Sequence, residues 1–250
     1  TGSVATGKRI AAALAGRLVK LQLELGGKDP TYVRSDADPK AAAESLADGA
    51  MYNSGQSCCS VERIYVHEAI HDAFVEHFLK TVDGFKVGDP MDEATYIGAI
   101  ARAPQLDVLD TQVADAQAKG ATLLRGGRRL PGNAYAPTVF TNVDHSMELM
   151  REESFGPVIG IQKVGGDDEA AALMNDTRYG LTAGVYTRDE AAARSILARV
   201  HAGSVYWNCC DRVSPRLPWS GHKHSGIGLT LSTYGIQTFT RPKAWHLRSA

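Results

Sequence analysis

The chain has 250 residues, of which 44% are hydrophobic and 22% charged, so it is long enough to bury one large core or two small ones. Its formal net charge of −1 excludes an overall field that would attract nucleic acid or an anionic membrane surface. No apolar run approaches the ~20 residues of a membrane-spanning helix, so we expect a soluble protein without nucleic-acid or membrane partners.

The first residues resemble the start of a nucleotide-binding loop. In GSVATGKR, however, Arg9 stands where a Ser or Thr would hold magnesium, so a nucleoside triphosphatase is not predicted. The glycines still allow backbone N–H groups at a helix N-terminus to face a phosphate, and the plain alternative is a turn that enters a helix. The segment GKRIAAALAGRL predicts that helix. Because the chain begins with Thr1 and not with Met, we expect it to be processed or part of a longer protein.

Alternating strand and helix patterns follow. LVKLQLEL, residues 18–25, predicts a strand that runs into Gly26 and Gly27. Asp38 and Pro39 supply an N-cap and a first-turn proline for the helix AAAESLADGAMYN, which Gly55 ends. ERIYVH predicts a strand over residues 62–67, and EAIHDAFVEHFLKTV predicts a helix over 68–82.

The same alternation continues to the end of the chain. A helix is predicted over 103–120, with strands over 121–124, 157–164, 181–187 and 203–208 and further helices starting near Asp167 and Arg188. This order predicts an α/β fold with a largely parallel sheet. The final segment TFTRPKAWHL predicts an extended tail.

Two histidine patterns resemble metal sites. HEAIH, residues 67–71, matches the zincin motif, which requires both histidines on one helix face. His67 ends a predicted strand and the helix is predicted to begin at Glu68, so two surface histidines are favoured over a zinc protease. His222 and His224 lie in a polar loop and are interpreted as exposed residues. No metal is predicted.

The four cysteines form two adjacent pairs, Cys58–Cys59 and Cys209–Cys210. This usage is unlike the dispersed framework of a secreted domain and predicts a reducing, cytoplasmic setting. Neither pair has the Cys-x-x-Cys spacing of a zinc site. A bridge between the two pairs is left open but is disfavoured.

The segment NSGQSCCS raises the question of chemistry, because a thiol with a pKa near ~8.5 is mostly protonated at neutral pH. A nucleophilic cysteine needs an accessible polar setting, often with a base in reach, and this turn supplies the setting for Cys58. The candidate base is Glu24, a lone acid in an apolar strand, whose partial burial would raise its pKa. The alternatives are an outward-facing residue for Glu24 and a small buried residue for Cys58.

LELGGK followed by GQSC resembles the signature pair of the aldehyde dehydrogenase superfamily. Other segments resemble the family's motifs in the same order along the chain: TGSVATG, EESFGPV, NDTRYGLTAGVYTRD and VYWNCCDRVSPRLPWSGHKHSGIG. The resemblance implies oxidation of an aldehyde to a carboxylic acid with NAD or NADP. Cys58, two places after Gln56, matches the nucleophile that forms a thiohemiacetal and then a thioester. Glu24 matches the general base for thioester hydrolysis, and Cys59 is a neighbour.

The resemblance also implies binding residues. Glu153 matches the carboxylate that binds the nicotinamide ribose, and Phe155 lies against the nicotinamide end. The remaining cofactor positions lie near the pyrophosphate turn and the glutamate motif: Gly2, Ser3, Gly7 and Leu25. The implied aldehyde tunnel is lined by Tyr52, Ser57, Asp211, Val213 and Trp219. That lining suits a neutral aliphatic or aromatic aldehyde, while Arg212 leaves a carboxylate-bearing semialdehyde open.

By this resemblance the chain corresponds to the C-terminal half of much longer family members. Residues 1–25 would be the end of the cofactor domain, residues 26–233 the catalytic domain, and residues 234–250 an oligomerisation tail of a homodimer or homotetramer. Two alternatives stay open. One is a CoA-acylating relative, in which Cys58 acts but Glu24 does not deacylate with water. The other is a non-catalytic domain kept for its fold or for assembly.

Overall fold

The fold is built on a seven-stranded sheet, described by a computed structural model that covers residues 1–210 and 212–249. The strands are β2 (Asp29–Val33), β3 (Val61–His67), β4 (Thr122–Arg125), β5 (Thr138–Thr141), β6 (Val158–Val164), β7 (Thr182–Tyr186) and β8 (Ser204–Trp207). They lie in the order β4-β5-β6-β3-β2-β7-β8, and every neighbouring pair is parallel except the antiparallel β4–β5 pair. The prediction of an α/β fold with a largely parallel sheet is confirmed.

The helices of the described residues are α1 (Val4–Leu14), α2 (Pro39–Met51), α3 (His71–Asp83), α4 (Ala103–Ala118), α5 (Asp167–Asn175), α6 (Glu190–Leu197) and α7 (Ser232–Thr238). Of these, α2 to α6 contribute to the two cores on the faces of the sheet. Successive strand residues alternate between two cores, as a period of two requires. Tyr32 packs with α4, α5 and α6, whereas Val33 packs with α2 and α3. Central strands buried on both faces explain the apolar runs in the sequence.

A second, two-stranded sheet joins distant parts of the chain. β1 (Leu23–Glu24) pairs antiparallel with β9 (Gly226–Ile227), so that Glu24 lies opposite Gly226. The predicted strand over residues 18–25 is therefore wrong outside Leu23–Glu24. Leu18 is fully exposed and Val19 is 46% exposed, so these apolar side chains have no core to join and no strand partner within the described part of the chain.

Helix α2 begins where its sequence signals predict, whereas α3 begins later. Asp38 caps α2 by accepting from the backbone N–H groups of Lys40 and Ala41, and Pro39 begins the helix, as predicted. The helix ends at Met51, before Gly55, and a 3-10 turn covers Tyr52–Gly55. α3 begins at His71, three residues later than predicted, because the backbone turns at residues 68–70 and the His67 ring accepts from the N–H of Ala69.

This late start places His67 at the end of β3 and His71 in α3, so the two histidines do not share a helix face. Within residues 1–210 and 212–249, no cluster of three or more metal-ligating side chains is found. In the same ranges, none of the helices has the length and apolar character that a membrane crossing requires. After α7 the chain continues without regular structure, and Trp245 and Leu247 are 72% and 80% exposed.

Candidate active site

Three segments that are far apart in sequence meet at one end of the sheet: LELGGK, the cysteine turn and EESFGP. Glycines make this approach possible. A Cβ on Gly27 would lie 2.4 Å from the backbone oxygen of Cys58, and one on Gly55 would lie 2.3 Å from the oxygen of Gly156. A Cβ on Gly26 would lie 2.4 Å from Oε2 of Glu153. Any other residue at Gly27 or Gly55 would force the backbone segments apart, and one at Gly26 would displace the Glu153 carboxylate.

The cysteine turn is held by side-chain amides. Gln56 accepts from the N–H of Ala101 through Oε1 at 2.8 Å and donates through Nε2 to the oxygens of Asn53 and Ala99. Asn53 and Ser54 occupy the left-handed region, with φ of 50° and 58°. The turn is therefore fixed from outside, and Cys58 comes to rest half-buried next to Gly27.

The Cys58 thiol has a lowered pKa. A hydrogen bond with Cys59 is the main cause, and it outweighs burial and the negative charges of Glu153 and Glu24, which raise the pKa. Cys59 itself is buried, and its Sγ lies 3.4 Å from Oγ of Ser57 and 4.0 Å from the Tyr52 hydroxyl. The adjacent cysteines therefore differ: Cys58 is half-buried with a lowered pKa, whereas Cys59 is buried.

Glu24 is half-buried at the end of β1, and burial raises the pKa of its carboxyl, as the sequence predicted. Its Oε2 accepts a hydrogen bond of 2.8 Å from Nε1 of Trp219, which lowers the pKa in part. Its Oε1 is buried and has no hydrogen-bond donor among the described residues. The charge of Glu24 reaches the Cys58 thiol, so the structure brings the two predicted catalytic residues into one site.

Glu153 lies beside the same site. Burial and the nearby charge of Glu62 raise the pKa of its carboxyl to about 7. Its Oε1 accepts from the N–H of Gly27 at 3.0 Å, and its Oε2 lies above Gly26, where no side chain intervenes. The Glu153 carboxylate therefore packs directly against the backbone of Gly26. Phe155 follows with φ of 46°, held by its N–H bond to Glu62.

A buried ion pair supports this arrangement, and the sequence analysis missed it. Nζ of Lys28 lies 2.6 Å from Oε2 of Glu62, with side-chain exposures of 0% and 4%. Glu62 also accepts from the N–H groups of Ser154 and Phe155, and Lys28 donates to Oγ of Ser154 at 3.0 Å. The pair therefore ties LELGGK and EESFGP to β3. The sequence signal that could have revealed this ion pair is the presence of Lys28 and Glu62 in two segments that the fold buries.

Asp29 forms a second buried anchor. Its carboxyl accepts from the N–H and the hydroxyl of Thr182, at 3.0 and 2.6 Å, and this joins the start of β2 to β7. Burial raises the pKa of Asp29 well above its ordinary value, and the charge of Cys58 adds to the rise. These hydrogen bonds therefore fix the position of β2, the strand that follows Gly27 and Lys28.

The predicted cofactor-binding residues near the N-terminus do not all lie in one turn. Ser3 caps α1 by accepting from the N–H of Thr6, and the N–H of Gly2 donates to the oxygen of Glu24 at 3.0 Å. Gly7 lies inside α1 rather than in the turn, and a Cβ there would lie 2.7 Å from the Leu25 side chain. Gly7 thus lets the helix approach β1. The side chain of Leu25 is used in this packing.

The predicted substrate positions are dispersed around the thiol. Tyr52 and Ser57 are half-buried next to Cys59, whereas Val213 is 52% exposed. Trp219 donates to Glu24, and Asp211 lies outside the described residues. None of the four cysteines forms a disulfide, so the two pairs are not bridged; Cys210 is buried, and a Cβ on Gly49 would lie 2.4 Å from its Sγ.

Comparison with known proteins decides the family. The sequence profile described as aldehyde dehydrogenase family matches residues 1–245. The chain belongs to the aldehyde dehydrogenase family. Its sequence is 40% identical over 241 residues to succinate semialdehyde dehydrogenase [NAD(P)+] of Escherichia coli. This match spans 96% of the present chain and 52% of the Escherichia coli protein.

Solved structures of the aldehyde dehydrogenase family give the same result. The NAD-dependent aldehyde dehydrogenase of Sinorhizobium meliloti superposes with a TM-score of 0.93 at 37% identity, over 98% of this chain and 51% of that one. Lactaldehyde dehydrogenase of Escherichia coli superposes with a TM-score of 0.95 at 32% identity, over 99% and 53%. This aldehyde dehydrogenase family chain therefore spans about half the length of the curated relatives it matches.

Proposed function

We propose that this chain carries the catalytic part of an NAD- or NADP-dependent aldehyde dehydrogenase, with Cys58 as the nucleophile and Glu24 as the general base. One observation carries the proposal. The cysteine turn lies directly against Gly27, three residues after Glu24, and within reach of the Glu24 charge. An activated thiol and a carboxyl with a raised pKa in one site are the groups that acyl transfer to water requires.

The steps follow from these two groups. The Cys58 sulfur attacks the carbonyl carbon of the aldehyde and forms a thiohemiacetal. NAD or NADP, when bound, would supply the hydride acceptor for this carbon, and Cys58 would then hold the acyl group as a thioester. Glu24 then takes a proton from water, whose oxygen attacks the thioester carbon. The carbon–sulfur bond breaks, the carboxylic acid leaves and the Cys58 thiolate is restored.

Glu153 and Phe155 would hold the nicotinamide end of the cofactor, with Gly2 and Ser3 near its phosphates. The fixed Glu153 carboxylate above Gly26 supports this assignment, as does the E. coli relative, whose name includes NAD(P)+. These residues form one side of a dinucleotide site. By the order of its motifs, the chain would correspond to the C-terminal half of the family's longer members, and its exposed tail would serve homo-oligomerisation.

A carboxylate-bearing semialdehyde is the substrate class we favour. Arg212 is exposed, and its positive charge reaches the half-buried Cys209, in the loop that contains two predicted tunnel residues, Val213 and Trp219. A guanidinium at a tunnel mouth would bind the single carboxylate of such a substrate while its aldehyde faces Cys58. The E. coli relative is named for succinate semialdehyde. Arg212→Gln would then raise KM for succinate semialdehyde about tenfold or more and leave KM for propanal unchanged.

The decisive experiment compares adjacent thiols in the full-length gene product. Cys58→Ala should abolish aldehyde oxidation and the covalent adduct with aldehyde at every pH. The matched Cys59→Ala should retain both, with a profile moved to higher pH because the hydrogen bond with Cys59 lowers the pKa of Cys58. Glu24→Gln should still give a burst of reduced cofactor and then turn over slowly. If Cys59→Ala were the inactive variant, the nucleophile would be misassigned. If turnover required a thiol acceptor such as CoA, the CoA-acylating alternative would replace water as the acyl acceptor.

A further inference from the structure

The Glu24 carboxylate is held asymmetrically. Its Oε2 accepts from Nε1 of Trp219 at 2.8 Å, and its Oε1 is buried with no donor among the described residues. A buried acceptor without a partner is costly unless water or a substrate satisfies it. The two oxygens are therefore not equivalent: Oε2 is bonded to Trp219, whereas Oε1 has no protein donor among the described residues.

The indole is fixed by the backbone around it. The N–H of Trp219 donates to the oxygen of Thr230, and the N–H of Thr230 donates back to the oxygen of Trp219, both at 2.8 Å. β9 lies between these two residues in sequence and pairs with β1, which places Gly226 opposite Glu24. The loop over residues 217–231 is thus joined to the strand of Glu24, and the indole N–H reaches across to the carboxylate.

We infer that Trp219 is a positioning residue for the general base: its indole N–H fixes Oε2 of Glu24 and turns Oε1 toward the water that hydrolyses the thioester. The inference rests on the proposed function and revises one prediction of the sequence analysis, in which Trp219 only lined the aldehyde tunnel. An indole is suited to this role because it donates a single hydrogen bond and cannot itself take up a proton from the water.

The charged surroundings of Glu24 set the sign of the pH effect. Trp219 and Thr230 act through hydrogen bonds, and the Cys58 thiol approaches the carboxylate from the cysteine turn. Burial raises the pKa of Glu24, and the bond from Trp219 opposes that rise. Removing the indole N–H should therefore raise the pKa further, so that ionised Glu24 appears only at higher pH.

The test uses Trp219→Phe in the full-length gene product, with propanal or succinate semialdehyde and NAD or NADP. The burst of reduced cofactor should remain, because attack by Cys58 does not need Glu24. The pH midpoint of deacylation should move up by about one unit, which makes deacylation about tenfold slower below the midpoint. Trp219→Phe should add nothing to Glu24→Gln. The matched control is Trp207→Phe, which loses an indole bond to Thr187 and should leave the midpoint unchanged.

The outcomes separate the two claims. A normal deacylation rate in Glu24→Gln would overturn the proposed function itself. A slow Glu24→Gln together with a Trp219→Phe that keeps the wild-type rate and pH midpoint would overturn only the role of Trp219. If Trp219→Phe gave no burst, Trp219→Gln, which keeps an N–H donor, would be compared with Trp219→Leu. Equal deacylation by these two variants would overturn the inference.

Discussion

Replacing Glu153 by glutamine tests the electrostatics of the site in the absence of cofactor. Burial, together with the charge of Glu62, raises the pKa of Glu153 from its ordinary 4.5 to about 7. At about 1.4 kcal/mol for each pH unit, this rise corresponds to roughly 3 kcal/mol, an upper value because the side chain is only partly buried. Glu153→Gln keeps the amide oxygen that can accept from Gly27 and removes the charge.

Proton linkage determines at which pH Glu153→Gln is more stable than the wild type. A carboxyl with a raised pKa binds its proton more tightly in the folded protein than in the unfolded chain. Its contribution to stability is therefore fully present below pH 4.5 and is lost as pH rises through about 7. Above pH 7 the ionised carboxylate destabilises the wild-type protein, and Glu153→Gln should be more stable there. At pH 5 most of the difference should be gone.

Thermal unfolding of both proteins from pH 5 to 9, without cofactor, measures the effect. A difference of roughly 3 kcal/mol corresponds to a Tm increase of up to about 6–12 °C for a domain of this size. The matched control is Glu152→Gln, which removes an exposed carboxylate paired with Arg178 and should cost less than about 1 kcal/mol. A Tm difference for Glu153→Gln that stayed constant across this pH range would refute the reasoning.

Three further outcomes are expected. Cys59→Ala removes the hydrogen bond that lowers the pKa of Cys58, so alkylation of Cys58 by iodoacetamide should move to higher pH; an unchanged alkylation profile would contradict this cause. Lys28→Met leaves Glu62 buried without its cation and should lower the free energy of unfolding by roughly 3 kcal/mol in denaturant titrations. Lys40→Met, in an exposed pair, should lower it by under about 0.5 kcal/mol, and similar losses for both variants would argue against a buried pair. Calorimetry on residues 1–250 alone should give a Kd for NAD or NADP no better than about 1 mM, and light scattering should show oligomers or aggregates. Micromolar affinity in a monomer would mean that these residues form a complete cofactor site.

Local signals in the sequence determined much of this protein. Asp38 and Pro39 begin α2 because a side-chain cap and a fixed φ act within a few residues. The turn around Cys58 and the lone acid Glu24 in an apolar strand are also readable locally, and the order of the motifs identified the family. Even so, the strand before Glu24 was predicted too long, because an alternating pattern needs a core and a strand partner to become β-structure.

The tertiary structure alone decided which polar groups meet. The bond from Trp219 to Glu24 joins residues 195 positions apart, and that from Gly27 to Glu153 joins residues 126 apart. No helical or strand period relates such residues, since their proximity comes from the order in which β-strands pair across the sheets. The sequence by itself named the thiol and the carboxyl, and the packed fold fixed their pKa values, because burial and hydrogen-bond partners exist only once distant segments come together.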